Sequence, residues 1–128
     1  ATAKEVAEEL GIDYARDSVL KDWTYNATLG AAYLATLSER YDGNVVMMSA
    51  AYNAGPSRPD RWMSEQGDPR KGEMDVIDWI EAIPFNETRN YVMRVAESLP
   101  VYRARLGKPA HPVPFTEELI GTTLRANN

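Results

Sequence analysis

The run of residues 45–51, Val-Val-Met-Met-Ser-Ala-Ala, constrains the fold of this chain more than any other stretch. Wound into a helix it is apolar on every side, which is the pattern of a helix buried all round. Tyr52 and Asn53 follow, and Gly55 and Pro56 then end the helix, since Gly accepts the left-handed closing conformation and Pro cannot continue a helix. We therefore predict a central buried helix that presents Tyr52 and Asn53 to a binding cleft. The alternative, equally weighted by these residues alone, is that both side chains cap their own helix.

Length and composition indicate one globular domain. A chain of 128 residues can form a single core but not two, and 26% charged with 44% hydrophobic residues is ordinary for a globular protein. No run approaches the roughly 20 apolar residues that a membrane helix requires, so we expect no stable membrane insertion. No segment has the basic and then apolar organisation of a signal peptide.

The residue types argue against a metal centre, a cofactor or nucleic acid. There is no Cys, and His111 is the lone His, so neither a thiolate site nor a zinc site is expected. The net charge of −5 and the lack of a Lys/Arg cluster disfavour nucleic acid, whose binding depends on basic groups meeting phosphates. A neutral or mildly anionic small ligand remains compatible with this composition.

Hydrophobic spacing and capping residues predict further helices and no strand, so the expected class is all-α. A capping box of Thr2 and Glu5 opens a helix at the very start of the chain, from which we expect that chain is missing upstream. The other predicted helices are residues 26–41 with Asn26 as N-cap, 57–63 with Ser57 as N-cap, 75–83, one opening at Asn86, and 116–124.

The segments between these helices are predicted from their turn residues. Residues 12–24 form a loop, and residues 42–44 form a tight turn that packs the flanking helices as an antiparallel pair. Residues 64–73 are expected to be an exposed, mobile loop. Pro100 should kink or split the last long helix, leaving residues 101–106 as a further piece. Residues 107–128 are interpreted as a Pro-rich tail with a short terminal helix, lying over the surface of a domain of residues 1–106.

The predicted cleft has the composition of a sugar site. Tyr52 and Asn53 would line it with Glu81 and Glu87, and aromatic faces beside amide and carboxylate groups suit hydroxyl-rich ligands. Cleavage of a polysaccharide would need a carboxylic acid held protonated. Glu87 is a poor candidate, because the positive end of a helix favours its ionised form, in which it accepts hydrogen bonds. Glu81 follows apolar residues and is the better candidate, with pairing to an arginine as the more frequent outcome. Trp62 could lie at the cleft rim, but core packing is favoured.

Several motifs, in order, resemble the soluble lytic murein transglycosylases, in particular the large periplasmic type. The resemblance covers residues 1 to about 106 and rests on these stretches: Tyr25-Asn26 with residues 29–34, the turn 42–44, Ala51-Tyr52-Asn53-Ala54-Gly55-Pro56, Arg61-Trp62, residues 79–81 and residues 83–92.

The resemblance implies a lysozyme-like helical domain that cleaves the β-1,4 bond between N-acetylmuramic acid and N-acetylglucosamine in peptidoglycan, in the periplasm. One Glu would protonate the glycosidic oxygen and then take the proton of the muramic acid C6 hydroxyl, giving a 1,6-anhydro product without water. Applied to the matching positions of this chain, the resemblance implies that Tyr52 orients that acid and that Ala51 and Asn53 contact the sugar. It also implies that Glu87 accepts a hydrogen bond from a sugar group. No cofactor is implied.

The chain departs from the family pattern in two places. The family's catalytic Glu lies on an upstream helix, and residues 1–3 resemble those that come straight after it. We therefore expect an N-terminally incomplete domain that has no catalytic residue of its own and is inactive alone. Residues 57–60, Ser-Arg-Pro-Asp, stand where the family commonly has Gly-Arg-Val, so Pro59 is expected to tilt the helix bearing Trp62.

Two hypotheses follow. The chain is the C-terminal part of a transglycosylase catalytic domain, or it is a non-catalytic glycan-binding module that kept the groove and lost the acid. A fragment should expose an apolar patch of more than a few hundred Å² where the catalytic helix packs, and could self-associate through it. In both cases the expected partner is the peptidoglycan glycan strand.

Overall fold

The computed structural model describes residues 27–125, with side chains from Tyr33 onward except Tyr102. Within that range the secondary structure is helical and contains no strand, which confirms the all-α prediction. Its elements are α1 (Ala27–Tyr41), α2 (Val45–Ala54), α3 (Ser57–Gln66), a 3₁₀ turn (Pro69–Lys71), α4 (Val76–Glu81), α5 (Asn86–Arg105) and α6 (Phe115–Ile120). The predicted helix opened by Thr2 and Glu5, the loop 12–24 and the Asn26 cap lie outside the described residues.

Helix α2 is the centre of the fold, as predicted. Residues 45–51 are all buried, and the helix packs against α1, α3, α5 and α6. Asn44 caps its start by accepting from the Met47 amide at 3.0 Å. Gly55 ends it with φ of 88°, and its N–H donates to the carbonyl of Ala51 at 2.8 Å. A helix enclosed on all sides holds its terminal residues in fixed positions, which is what a binding site requires.

The turn between α1 and α2 is also as predicted. Asp42 and Gly43 both have positive φ, 53° and 73°, and this reverses the chain so that α2 packs on α1. Gly43 is needed for a second reason. A Cβ atom there would lie 1.9 Å from the backbone nitrogen of Arg125, because the C-terminal segment passes directly over the turn.

Two predictions about residues 57–73 are wrong. Pro56, rather than Ser57, occupies the N-cap position of α3 without a side-chain cap bond, and the helix runs three residues beyond Met63. The expected mobile loop is ordered by Asp68, which is buried and accepts from the amide of Arg70 at 2.9 Å. The Arg70 guanidinium binds the same carboxylate and lies 5.8 Å from the ring centroid of Tyr41. This segment is therefore a capped turn with an ion pair packed against an aromatic ring, and not the mobile loop that the sequence predicted.

Helix α5 is one helix of 20 residues that is not split at Pro100, so the expected separate piece 101–106 is part of it. Pro100 has no N–H to donate to the carbonyl four residues earlier, but one missing bond does not end a helix whose apolar residues are packed. The residues that bury this face are Val92, Val95, Ala96 and Leu99. Asn86, the predicted N-cap, is the first residue of the helix.

The C-terminal segment does not lie on the surface as expected. Leu119 of α6 and Leu124 after it are fully buried in the same core cluster as α2. Asn44 donates to the carbonyls of Leu119 and Gly121, both at 2.9 Å, and Ser38 donates to the carbonyl of Leu124 at 3.0 Å. Apolar burial and backbone hydrogen bonds therefore join this segment to the core. The predicted boundary after residue 106 stays a prediction.

Candidate functional site

Three tyrosines from different helices meet at the C-terminal end of α2. Tyr52 is half-buried between Tyr33 of α1 and Tyr91 of α5, with ring centroids 5.8 Å and 6.3 Å away. The Tyr52 and Tyr91 rings are stacked at 13°, and the Tyr33 hydroxyl donates to the carbonyl of Ala51 at 3.2 Å. Offset stacking fixes ring orientation, so the tyrosines hold Tyr52 in one position.

Asn53 is fixed by the first turn of α5. Its side-chain oxygen accepts from the hydroxyl of Thr88 at 2.6 Å, and Thr88 is only 2% exposed. The alternative that Asn53 caps its own helix is therefore not what the structure shows. This bond leaves the amide nitrogen of Asn53, with its two donors, on the half-buried surface of the site.

The two candidate glutamates are both exposed. Glu87 precedes Thr88 in the first turn of α5, so the contact between Asn53 and Thr88 brings it beside the predicted site. Glu81 ends α4 and makes no hydrogen bond or ion pair with the described residues of the site. The structure thus brings together Ala51, Tyr52, Asn53 and the turn that carries Glu87, whereas no such contact joins Glu81 to them.

Trp62 packs in the core, which confirms the prediction favoured over a position at the cleft rim. It is 6% exposed and meets Trp79 and Phe85 edge to face, with centroids 6.2 Å and 5.6 Å away. Phe85 is 38% exposed, and the Arg58 guanidinium carbon lies 4.8 Å from its ring centroid. Pro59 is buried in the first turn of α3, where proline is tolerated because the N–H it lacks would have no partner within the helix.

Sequence reasoning missed Tyr33, Thr88, Tyr91 and the cations near them. A usable signal was present in α5. Phe85, Thr88, Tyr91 and Arg94 recur at every third residue, a spacing that places each side chain next to the one before it while the series winds around the helix. Which elements they meet could not be inferred, because that depends on how α5 packs on α2 and α3.

Neither buried carboxylate of the described residues belongs to the site. Glu118 binds Arg103, whose position on α5 is 12 residues past Tyr91, about 18 Å along the axis. Asp68 binds Arg70 beyond the far end of α1. Burial alone would raise the pKa of Asp68, but hydrogen bonds and charge from Arg70 hold it below its usual value. Both carboxylates are thus committed to arginines elsewhere.

Another titratable group, Tyr41, also lies away from the tyrosine cluster. Its hydroxyl donates to Asp60 at 2.8 Å and to the carbonyl of Pro56 at 3.1 Å. Burial raises the pKa of Tyr41, and the neighbouring carboxylate of Asp60 adds to the shift. Tyr41 therefore stays protonated and serves to join α1 to α3.

Residues that could hold a metal ion in a group of three or more do not occur in the described part of the chain. The described helices also include none with the length and apolar character needed to span a bilayer.

The helical fold and a buried central helix ending at Tyr52 and Asn53 are features expected of the family that the sequence resembles. Residues 1–74 match the family model of the transglycosylase SLT domain. The match covers more than half of the chain, and the chain belongs to this family.

Curated relatives carry matching names. The chain is 35% identical over 94 residues to the soluble lytic murein transglycosylase of Escherichia coli (strain K12), covering 73% of this chain and 14% of the relative. The Salmonella typhimurium protein of the same name is 34% identical over 96 residues, 75% of this chain and 14% of the relative. A putative soluble lytic murein transglycosylase of Haemophilus influenzae is 33% identical over 118 residues, 92% of this chain and 19% of the relative.

The chain thus spans less than a fifth of the length of these relatives. No solved structure gave a significant match.

Proposed function

We propose that this chain supplies the substrate groove of a lytic transglycosylase that cleaves peptidoglycan. The bond cleaved is the β-1,4 link between N-acetylmuramic acid and N-acetylglucosamine. The muramic acid C6 oxygen replaces the leaving oxygen at C1, and the C6 proton passes to the catalytic carboxylate that protonated the leaving oxygen. The observation that carries this proposal is the fixed group of Tyr52 and Asn53 at the end of a buried helix in a chain of this family.

Each residue of the group has a proposed role. Tyr52, held between two rings, orients the catalytic acid through its hydroxyl. Asn53, with its oxygen occupied by Thr88, donates its amide hydrogens to the sugar. Glu87 accepts from a sugar hydroxyl or amide, which suits an exposed carboxylate at a helix N-terminus. Ala51 is fully buried and does not offer the sugar contact expected from the sequence, so its proposed part is to support the site from the core through the hydrogen bond that its carbonyl accepts from Tyr33. Glu81 is retained as a peripheral contact.

The catalytic acid itself is proposed to come from outside the described residues. A general acid needs a protected, weakly polar environment that keeps it protonated. Glu81 and Glu87 are exposed, and the buried carboxylates Asp68 and Glu118 are bound to arginines.

The second candidate function is a glycan-binding module without catalysis. The same observation favours it, because the described residues include the fixed pair Tyr52 and Asn53 and no carboxylate suited to act as the acid. In both cases we place the protein in the periplasm, where peptidoglycan lies. Self-association through a bare apolar face is a further prediction, for sedimentation analysis.

The deciding experiment digests purified peptidoglycan with the chain and looks for 1,6-anhydro-muropeptides by mass spectrometry, with the intact mass of the same sample measured in parallel. Anhydro products that disappear in Tyr52→Phe, which keeps the ring and loses the hydroxyl, support the enzyme and the role of Tyr52. Glycan binding without any product excludes cleavage by this chain alone and fits both the binding module and a catalytic part whose acid lies elsewhere. A chain that neither cleaves nor binds peptidoglycan contradicts both.

A further inference from the structure

Two arginines beside the candidate site have aromatic rings as neighbours and no carboxylate partner. The guanidinium carbon of Arg58 lies 4.8 Å from the ring centroid of Phe85, and that of Arg94 lies 5.3 Å from the ring centroid of Tyr91. Both arginines are exposed. No carboxylate of the described residues lies within ion-pair distance of either one.

Most arginines elsewhere in the described chain are bound to carboxylates. Those bound to carboxylates are Arg40 with Asp60, Arg61 with Glu65, Arg70 with Asp68, Arg103 with Glu118 and Arg125 with Asp42. The chain has 19 acidic against 14 basic residues, so partners for a cation are abundant. Arg89 has no carboxylate partner either, but its guanidinium donates to the carbonyl of Ile83 at 2.9 Å and to the side-chain oxygen of Asn86. Arg58 and Arg94 instead have an aromatic ring as neighbour, and both lie next to the candidate site.

The two cations flank the α5 residues that contact the site, one before them in the chain order of α5 contacts and one after them. Phe85, immediately before α5, carries Arg58. Three residues on, Thr88 binds Asn53, and after three more Tyr91 stacks on Tyr52. Arg94 follows three residues after Tyr91. At 1.5 Å of rise per residue, Phe85 and Arg94 are separated by on the order of 13 Å along the helix axis, with Thr88 and Tyr91 between them.

A guanidinium that rests on an aromatic ring is held in place while its edge stays open to solvent. Stacking restricts the side chain before a ligand arrives, so less freedom is lost on binding. The open N–H groups match a carboxylate in a paired, charge-assisted hydrogen bond. Two such cations beside a sugar site are suited to a strand that is neutral along its sugars and carries carboxylates at intervals.

We infer that Arg58 and Arg94 bind carboxylates on the glycan strand, so that the groove selects an anionic strand over a neutral one of the same sugars. The inference rests on the proposed function and names the substrate class of that site. The carboxylates can belong to the lactyl groups of muramic acid or to the peptides attached to them, and the experiment separates these sources.

The test measures binding of soluble glycan strands to the 128-residue chain, so it needs no catalysis. Three probes are compared: strands with peptides, strands freed of peptides that keep their lactyl carboxylates, and the latter strands with those carboxylates converted to neutral methylamides. We expect at least one anionic probe to bind about 10-fold more tightly than the neutral probe, and this preference to weaken as salt is raised.

The variants are Arg94→Gln and Arg58→Gln, with Arg61→Gln as matched control. Arg61 is exposed one helical turn from Arg58 on α3 but is paired with Glu65, so the control removes the same charge from an arginine that is already bound to a carboxylate. Each test variant should bind the preferred anionic probe about 5-fold more weakly, the order of one exposed ion pair, with binding of the neutral probe unchanged. The control should match the wild type on all probes.

Three results would overturn the inference. Equal binding of anionic and neutral strands would show that the groove does not select charge. Test variants that behave like Arg61→Gln would show that these arginines are not the contacts. In both cases glycan binding persists and the proposed function stands. A wild-type chain that binds none of the probes removes the proposed function together with the inference.

Discussion

Thr88 exposes almost no surface, yet its hydroxyl joins α5 to the end of α2. The bond to Asn53 is 2.6 Å long and links residues 35 positions apart. Removing the donor would leave the Asn53 oxygen without that partner in a largely enclosed place. A buried acceptor that loses its hydrogen bond costs more than the bond itself contributes, so this single hydroxyl influences both stability and the site.

We predict that Thr88→Val, which keeps the shape and removes the hydroxyl, lowers the free energy of unfolding by about 1–3 kcal/mol. Binding of glycan strands should weaken as well, because the Asn53 amide is no longer held. Thr88→Ser keeps the hydroxyl and is the control for binding. Urea denaturation and strand binding measured on both variants test this. Wild-type binding by Thr88→Val would mean that Asn53 is positioned by other contacts.

At the scale of elements, Asp68 determines the path of residues 67–72. Its carboxylate caps the 3₁₀ turn and binds Arg70. Because the pKa of Asp68 lies below its usual value in the folded state, the carboxylate adds stability above the unfolded pKa near 4. That contribution is lost as pH falls through the lower folded pKa.

Asp68→Asn should therefore lower the free energy of unfolding by about 2 kcal/mol at neutral pH, since Asn can still cap but cannot pair with Arg70. Below pH 4 the difference from the wild type should shrink. Asp75→Asn is the matched control, because Asp75 caps α4 in the same way and is exposed without an arginine partner. Denaturation series from pH 7 to pH 3 provide the measurement. A deficit that stays constant with pH would contradict the role assigned to the charge.

The elements that were predictable from sequence are those specified by local patterns. Residues 45–51 are apolar all round and Gly55-Pro56 ends a helix wherever it occurs, so α2, its burial and the two residues at its end could be inferred. The turn at 42–44 could also be inferred, because it contains Asp and Gly, residue types that favour turns. By contrast, the ordered conformation of residues 67–72 depends on Tyr41 of α1, because the Arg70 guanidinium lies over the Tyr41 ring. A polar stretch with two glycines gives no local sign of such a partner.

The candidate site divides in the same way. Tyr52 and Asn53 stand out because polar residues end an apolar run. Tyr33, Thr88 and Tyr91 are ordinary helix residues until the packing of α1 and α5 on α2 brings them to Tyr52 and Asn53. Their part in the site is a property of the assembled core.

On the scale of the whole molecule, the turn at Gly43 and the C-terminal segment depend on each other. The amide of Leu124 donates to the carbonyl of Gly43 at 2.9 Å, and a side chain on Gly43 would collide with the backbone of Arg125. Gly72 has nearly the same φ, 75° against 73°, with nothing within 4 Å of an added Cβ. The two glycines therefore separate the cost of the backbone conformation from the cost of the contact.

Gly72→Ala should cost about 1–2 kcal/mol, the cost of a left-handed conformation for an L-residue. Gly43→Ala should cost that amount plus roughly 1–3 kcal/mol for the collision, or else displace the C-terminal segment. Thermal unfolding of both variants and hydrogen exchange of residues 119–125 distinguish these outcomes. Equal stability of the two variants, with unchanged exchange, would show that the segment does not press on the turn.

A buried ion pair joins α5 and α6, the last two helices of the described chain. Arg103 near the end of α5 and Glu118 in α6 are 7% and 4% exposed, and the guanidinium contacts both carboxylate oxygens, with Nη1 to Oε1 at 2.6 Å. The Arg103 guanidinium also donates to the carbonyl of Ala110 at 3.4 Å, so it fixes the Pro-rich connection between the helices. Desolvation offsets much of the attraction in such a pair, and a single surviving charge is left with the full desolvation cost.

Arg103→Met should therefore lower the free energy of unfolding by about 3–5 kcal/mol, whereas Arg103→Met with Glu118→Leu should recover most of that loss. The recovery distinguishes an uncompensated charge from lost packing, because the double variant lacks both ionic groups but fills the space. Denaturation of the two single variants and the double variant gives the coupling energy directly. If the double variant is as unstable as the sum of the singles, the pair does not act as a unit, and α6 is held in place by Leu119 and Asn44 alone.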